Sequence, residues 1–161
     1  MDDLPRPGRW WMLAAFVALT LLLGFLAGLA TQPKIPTWYA SLQKPWFNPP
    51  PFVFAPVWTI LYVIIAWAGW RIWEKPASAA RTRALWVYAV QLALNLAWSP
   101  AFFTAESPLL GMVVVIPLWL SVLANILAFR PLDRAAALSL LPYLAWVSFA
   151  ALLNGAILAL N

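Results

Sequence analysis

The chain has 161 residues, 65% of them hydrophobic and only 9% charged, with a mean hydropathy of +0.82; soluble domains carry roughly 25% charged residues, so this is the composition of a membrane protein. Ten Lys and Arg against five Asp and Glu give a net charge of +5, but the basic residues are scattered at the ends of apolar runs and form no patch for nucleic acid. With no Cys and no His, disulfides, thiolate nucleophiles, zinc sites and imidazole ligation of haem iron are excluded, and the 12 Trp exceed what an interfacial belt on a small bundle needs.

A membrane-spanning helix needs about 20 mostly apolar residues, and five runs provide them. The first covers about 10–30 and stops at Thr31, Gln32 and Pro33. It is too long for a signal-peptide core and lacks a cleavage site, so it is read as a retained helix. Gly24 and Gly28 within it form a small-xxx-small pair suited to close helix contact. The loop that follows combines Trp38, Tyr39, Trp46, Phe47 and Phe52 with five prolines between Pro36 and Pro51, which restrict its backbone. So apolar a loop is expected to pack down on the bundle, either as an interfacial anchor or as a lid over a cavity.

The second run, about 54–73, places Phe54, Trp58 and Tyr62 at i, i+4 and i+8, on one helix face. In the third, about 84–104, Gln91, Asn95 and Ser99 repeat that spacing with Trp98 beside them, and Ala89, Ala93 and Ala97 form a ridge of small residues. The fourth covers about 108–129. The last, about 135–160, carries Pro142 or Tyr143, Trp146, Ala150 and then Asn154 on one face. Pro100, Pro117 and Pro142 fall inside runs and are expected to kink them.

No acidic or basic residue is central in any run, which argues against an ion-coupled pump. Gln91, Asn95, Asn125 and Asn154 need partners in lipid and must face other helices or a cavity. Aromatic faces with a few directed amides suit a large, planar, mostly apolar ligand, although the same residues also serve as interhelical glue. Eight basic residues (Arg6, Arg9, Arg71, Lys75, Arg81, Arg83, Arg130, Arg134) fall on one side of the membrane and Lys34 and Lys44 on the other. By the positive-inside rule the N-terminus is cytoplasmic and the C-terminus outside.

Three stretches, WYASLQKPWFNPPPFVFAPVWTILY (38–62), QLALNLAWSPAFF (91–103) and PYLAWVSFAALLN (142–154), resemble the TspO/MBR family of tryptophan-rich sensory and translocator proteins, over nearly the whole chain. The resemblance implies an all-α membrane protein, one domain over 1–161: a five-transmembrane-helix bundle with a Pro/Trp-rich loop as lid between helices 1 and 2. It implies a pocket for tetrapyrroles such as porphyrin and haem, walled by Tyr39, Pro49, Phe54, Trp58, Tyr62, Asn95, Trp98, Ser99, Trp146 and Ala150. It further implies a homodimer, with Ala89, Ala93 and Ala97 the preferred contact. The Tyr and Arg that form a sterol motif in animal members are lacking after Asn154, so sterol binding is not carried over.

The function expected on these grounds is a membrane receptor or regulator that binds porphyrin or haem as ligand and requires no cofactor, placed in a bacterial cell membrane. Two alternatives are light- and oxygen-dependent porphyrin degradation, with Trp58 and Trp146 as the candidate reactive neighbours, and facilitated porphyrin transport. Of the tryptophans, Trp10, Trp11, Trp70, Trp73 and Trp86 suit an interfacial belt, Trp38 and Trp46 the lid, while Trp67 and Trp119 have no assignment.

Overall fold

The computed structural model describes residues 8–161, and Arg6 lies outside that range. Every regular element among the described residues is helical. Helix α1 spans Gly8–Thr31. The expected stop at Thr31, Gln32 and Pro33 is not a break, because the chain winds on through a 3-10 turn (Gln32–Lys34) and a π turn (Ile35–Tyr39). Pro33 and Pro36 stand in the first turns of these two segments, where a missing N–H leaves no carbonyl unpaired. A second 3-10 turn, Pro51–Val53, leads into α2, Phe54–Trp73.

Helix α3, Ala79–Ser99, starts five residues earlier than the apolar run because Ser78 caps it, its hydroxyl accepting from Arg81 N–H at 3.1 Å. At Pro100 the α-helix gives way to a π turn, Pro100–Thr104. Helix α4, Pro108–Phe129, is capped by Ser107 and runs unbroken through Pro117. The last apolar run divides at Leu140 into α5, Arg134–Ser139, and α6, Leu141–Leu160, so that Pro142 lies in the first turn of α6, directly after the break.

Four helical stretches, Arg9–Tyr39, Pro51–Trp73, Pro108–Phe129 and Arg134–Leu160, are long and apolar enough to cross a membrane. Helix α3 matches them in length at 21 residues, but Arg81, Arg83, Gln91 and Asn95 dilute its apolar character. It packs along α4, while α1 packs on α2 and α4 on α6. Ile65 and Ile72 of α2, Ala84 of α3, Val122 and Phe129 of α4 and Tyr143 of α6 fill the main core. Leu22, Leu26, Val113, Leu120 and Leu152 point outward, as a lipid-facing surface requires.

Polar groups hold the ends. The buried Asp133 carboxylate accepts from Ala136 N–H at 3.0 Å, capping α5, and from Arg71 and Lys75 at 2.7 Å each. Burial opposes its ionisation, but the hydrogen bonds from Lys75, Ala136 and Arg71 outweigh that and hold its pKa down at about 2. At the same end Trp10 stacks on Trp70, and the Arg71 guanidinium lies 5.2 Å from the Trp67 ring centre, which gives Trp67 a role. Trp119 donates to Ser148 Oγ at 2.7 Å and joins α4 to α6. At the other end the loop between α1 and α2 is fastened twice. Lys34 Nζ donates to Glu106 Oε1 at 2.7 Å, and Asn161 exchanges two bonds with the Gln43 backbone, accepting from its N–H at 3.0 Å and donating to its carbonyl at 2.9 Å.

Candidate ligand-binding site

Beneath that loop lies a cavity of about 350 Å³, within the range of roughly 300–1,000 Å³ for small-molecule sites. Three of its walls are the faces picked out by helical spacing. Phe54, Trp58 and Tyr62 come from α2, Asn95, Trp98 and Ser99 from α3, Ala150 from α6, and Tyr39 closes the top. Two of the ten expected residues are not on its surface. Pro49 lies outside, and Pro51, two positions on, takes its place because the 3-10 turn that begins there swings the chain onto the cavity. Trp146 stands one layer behind, its ring edge against Trp58 at 6.5 Å and Phe54 at 5.9 Å; it supports the wall without lining it.

The remaining wall escaped the spacing argument. Leu21, Gly24, Phe25 and Gly28 come from α1, and Phe102 and Phe103 from the π turn after Pro100. Helix α1 is apolar all round, so no stripe distinguishes its inner face. The π turn shifts the phase of side chains beyond Ser99, which brings Phe102 into a stack with Trp98 at 5.4 Å. Trp38 of the loop meets the edge of that Phe102 ring at 5.4 Å, and Tyr39 meets Phe103 at 5.6 Å.

Most polar atoms of the inner wall are already paired. Tyr62 donates its hydroxyl to Asn95 Oδ1 at 2.7 Å, Asn95 Nδ2 donates to the Tyr143 hydroxyl at 2.9 Å, and Tyr143 donates to Gln91 Oε1 at 2.9 Å. This chain runs from α2 through α3 to α6 and fixes the orientation of Tyr62 and Asn95. Asn154 Nδ2 donates to the Pro108 carbonyl at 2.8 Å, and its Oδ1 accepts a longer bond, 3.4 Å, from Trp98 Nε1. The amides thus act mainly as interhelical glue that holds the rings in place. What the cavity offers a guest is aromatic surface: the Trp58 and Trp98 rings, each backed by a stacked partner, Tyr62 at 5.5 Å and Phe102 at 5.4 Å. The chain has neither His nor Cys, and the Tyr62 hydroxyl is engaged with Asn95.

The three alanines of α3, Ala89, Ala93 and Ala97, are all exposed and share one outward face. The two glycines of α1 do not behave as a pair. Gly24 lies against the Tyr62 ring within the chain, and Gly28 borders the cavity with nothing within 4 Å of where a Cβ would sit.

Comparison with known proteins agrees with this architecture. The model of the TspO/MBR family matches residues 16–160. The chain is 42% identical over 157 residues to the tryptophan-rich protein TspO of Chlorobaculum tepidum, covering 92% of this chain and 95% of that one. It is 37% identical to the tryptophan-rich sensory protein of Cereibacter sphaeroides, with 92% of each covered. It is also 36% identical to the translocator protein of Bos taurus, with 90% and 87% covered. An integral membrane protein with aromatic-walled helices and matches of this extent belongs to the TspO/MBR family.

Proposed function

We propose that the protein is a membrane receptor or regulator that binds tetrapyrroles, porphyrin or haem, in the cavity beneath the loop between α1 and α2. In this reading all five long helices cross the bilayer, α5 and α6 counting as one span, and residues 32–53 form the lid. The basic end bearing Arg9, Arg71, Lys75, Arg81 and Arg130 faces the cytoplasm of a bacterial cell, and Asn161 lies outside. Two copies pair through Ala89, Ala93 and Ala97, whose small side chains allow close backbone approach. The tetrapyrrole is ligand and not resident cofactor, nucleic acid is not a partner, and the sterol motif of the animal members is not carried over to this chain.

The observation that carries the reading is the pair of stacked aromatic walls, Trp58 on Tyr62 and Trp98 on Phe102, facing a single cavity. A flat macrocycle gains dispersion contact from both faces there. Titration of the purified protein with protoporphyrin IX should quench tryptophan emission, with Trp58→Ala weakening binding about tenfold, the equivalent of ~1.4 kcal/mol. Equal affinity in wild type and variant would remove the cavity from consideration.

The contact between Trp58 and Trp146 favours a second reading, light- and oxygen-dependent degradation of the bound pigment. In this reading the bound pigment is its own photosensitiser, dioxygen is the oxidant, and Trp58 with Trp146 behind it are the neighbours that accept an electron or radical from the excited pigment. Illumination of the complex should then bleach the porphyrin band faster in wild type than in Trp146→Phe; equal rates would reduce the effect to ordinary photobleaching.

A further inference from the structure

Gly24 and Gly28 lie one turn apart on α1 and meet opposite surroundings. A Cβ at Gly24 would fall 2.5 Å from Tyr62 Cε2, so α1 and α2 touch there, and one turn earlier Thr20 Oγ1 donates to the Tyr62 carbonyl at 2.9 Å. A Cβ at Gly28 would have nothing within 4 Å. The two helices therefore separate within one turn.

The gap that opens is edged by Leu21 and Phe25 on α1 and Gln32 in the turn after it, and by Ala55 and Thr59 on α2 and Pro51 in the turn before it, all of which line the cavity and are exposed at the same time. Residues with both properties mark a mouth. Phe25 is 63% exposed, whereas Tyr39 and Phe103, which seal the top, are 7% and 8% exposed. From the contact at Gly24 to the end of α1 at Thr31 the opening extends along roughly 10 Å of helix at 1.5 Å per residue. Both helices belong to stretches able to cross a membrane, so the mouth faces the side of the bundle, where the surrounding solvent is lipid. Opposite it stands Ser99, 7% exposed, which lines the cavity and makes no capping bond to the turn that follows.

We infer that ligands reach this cavity from within the bilayer, sideways between α1 and α2 across Gly28, with a polar edge leading toward Ser99 and an apolar edge left in the gap against lipid. The inference rests on reading the cavity as the ligand site and narrows the ligand class to amphipathic molecules that partition into the membrane before they bind. A freely water-soluble compound has no direct path. The asymmetry of the walls fits this order, since the amides and hydroxyl lie deep while the rim is mostly aliphatic and aromatic.

Gly28→Leu tests it, because the new Cβ has no neighbour within 4 Å and the side chain starts into the opening. In lipid nanodiscs the variant should melt as wild type does and bind protoporphyrin IX at least tenfold more slowly. The chain has no cysteine, so Gly28→Cys supplies an independent measurement. A pyrene maleimide dissolved in the bilayer should label it, bound protoporphyrin IX should protect it, and a sulfonated maleimide confined to water should not react. Normal binding by Gly28→Leu together with lost binding by Trp58→Ala would keep the cavity and overturn the lateral route. Normal binding by both would overturn the cavity as well. Labelling by the sulfonated reagent as fast as by the pyrene reagent would show a water-facing mouth and overturn the route by itself.

Discussion

The two ends of the bundle are built from the same kinds of side chain and use them in opposite ways. At the basic end Trp10 stacks on Trp70, Phe16 meets Trp73 and Tyr88, and Tyr88 stacks on Phe129; these rings cover one another. At the loop end Trp58 and Trp98, with their stacked partners Tyr62 and Phe102, line a cavity. The aromatic count is therefore silent about binding. What distinguishes a site from a core is a ring face left without a protein neighbour, because dispersion contact absent from the fold is available to a guest.

This contrast can be broken at several points. The largest effect is expected at the closed end from Phe129→Ala, which empties a fully buried position and should cost about 3–4 kcal/mol, since in lipid the loss is one of packing contact. Reversible unfolding in mixed micelles measures it, and porphyrin affinity of the folded fraction should not change. Asp133→Ala should cost about 2 kcal/mol, less than a fully buried pair because Arg71 and Lys75 remain partly exposed. A carboxyl whose pKa is lowered from 3.8 to about 2 contributes stability that is complete above pH about 4 and fades as pH falls toward 2. The wild-type unfolding profile should slope across that window, and the profile of Asp133→Ala should be flatter.

At the open end the order reverses. Trp58→Ala should alter stability little and ligand affinity about tenfold, while Trp146→Ala, one layer back, should change affinity by only about two- to threefold; a larger effect at Trp146 would mean that the wall is drawn in the wrong place. The smallest effects belong to the loop fastenings. Lys34→Ala and Asn161→Ala should each cost about 0.5 kcal/mol, detectable as faster amide hydrogen exchange across residues 32–53 with the rest unchanged.

How much of this could be read from the sequence follows from periodicity. Phe54, Trp58 and Tyr62 repeat every four residues on a regular helix and so point the same way, as do Asn95 and Ser99; these positions were legible. The α1 wall was not, because Leu21, Phe25 and Gly28 belong to a helix apolar on every side, where no contrast marks the inner face. Phe102 and Phe103 follow a π turn that changes the phase, and Pro49 and Pro51 belong to a proline run without any period. The break at Leu140 was hidden for a related reason: Asp133 caps a helix of only 6 residues, too short to interrupt an apolar run that reads as one span.

Tyr62 joins four of the contacts described above. Its ring lies against Gly24 and stacks on Trp58, its carbonyl accepts from Thr20, and its hydroxyl donates to Asn95, at the head of the chain that ends on Gln91. A side chain so held does not shift alone. Removing the phenol would therefore release contacts to α1, α2 and α3 at once, so that one residue of the cavity wall also sets how three helices sit against each other.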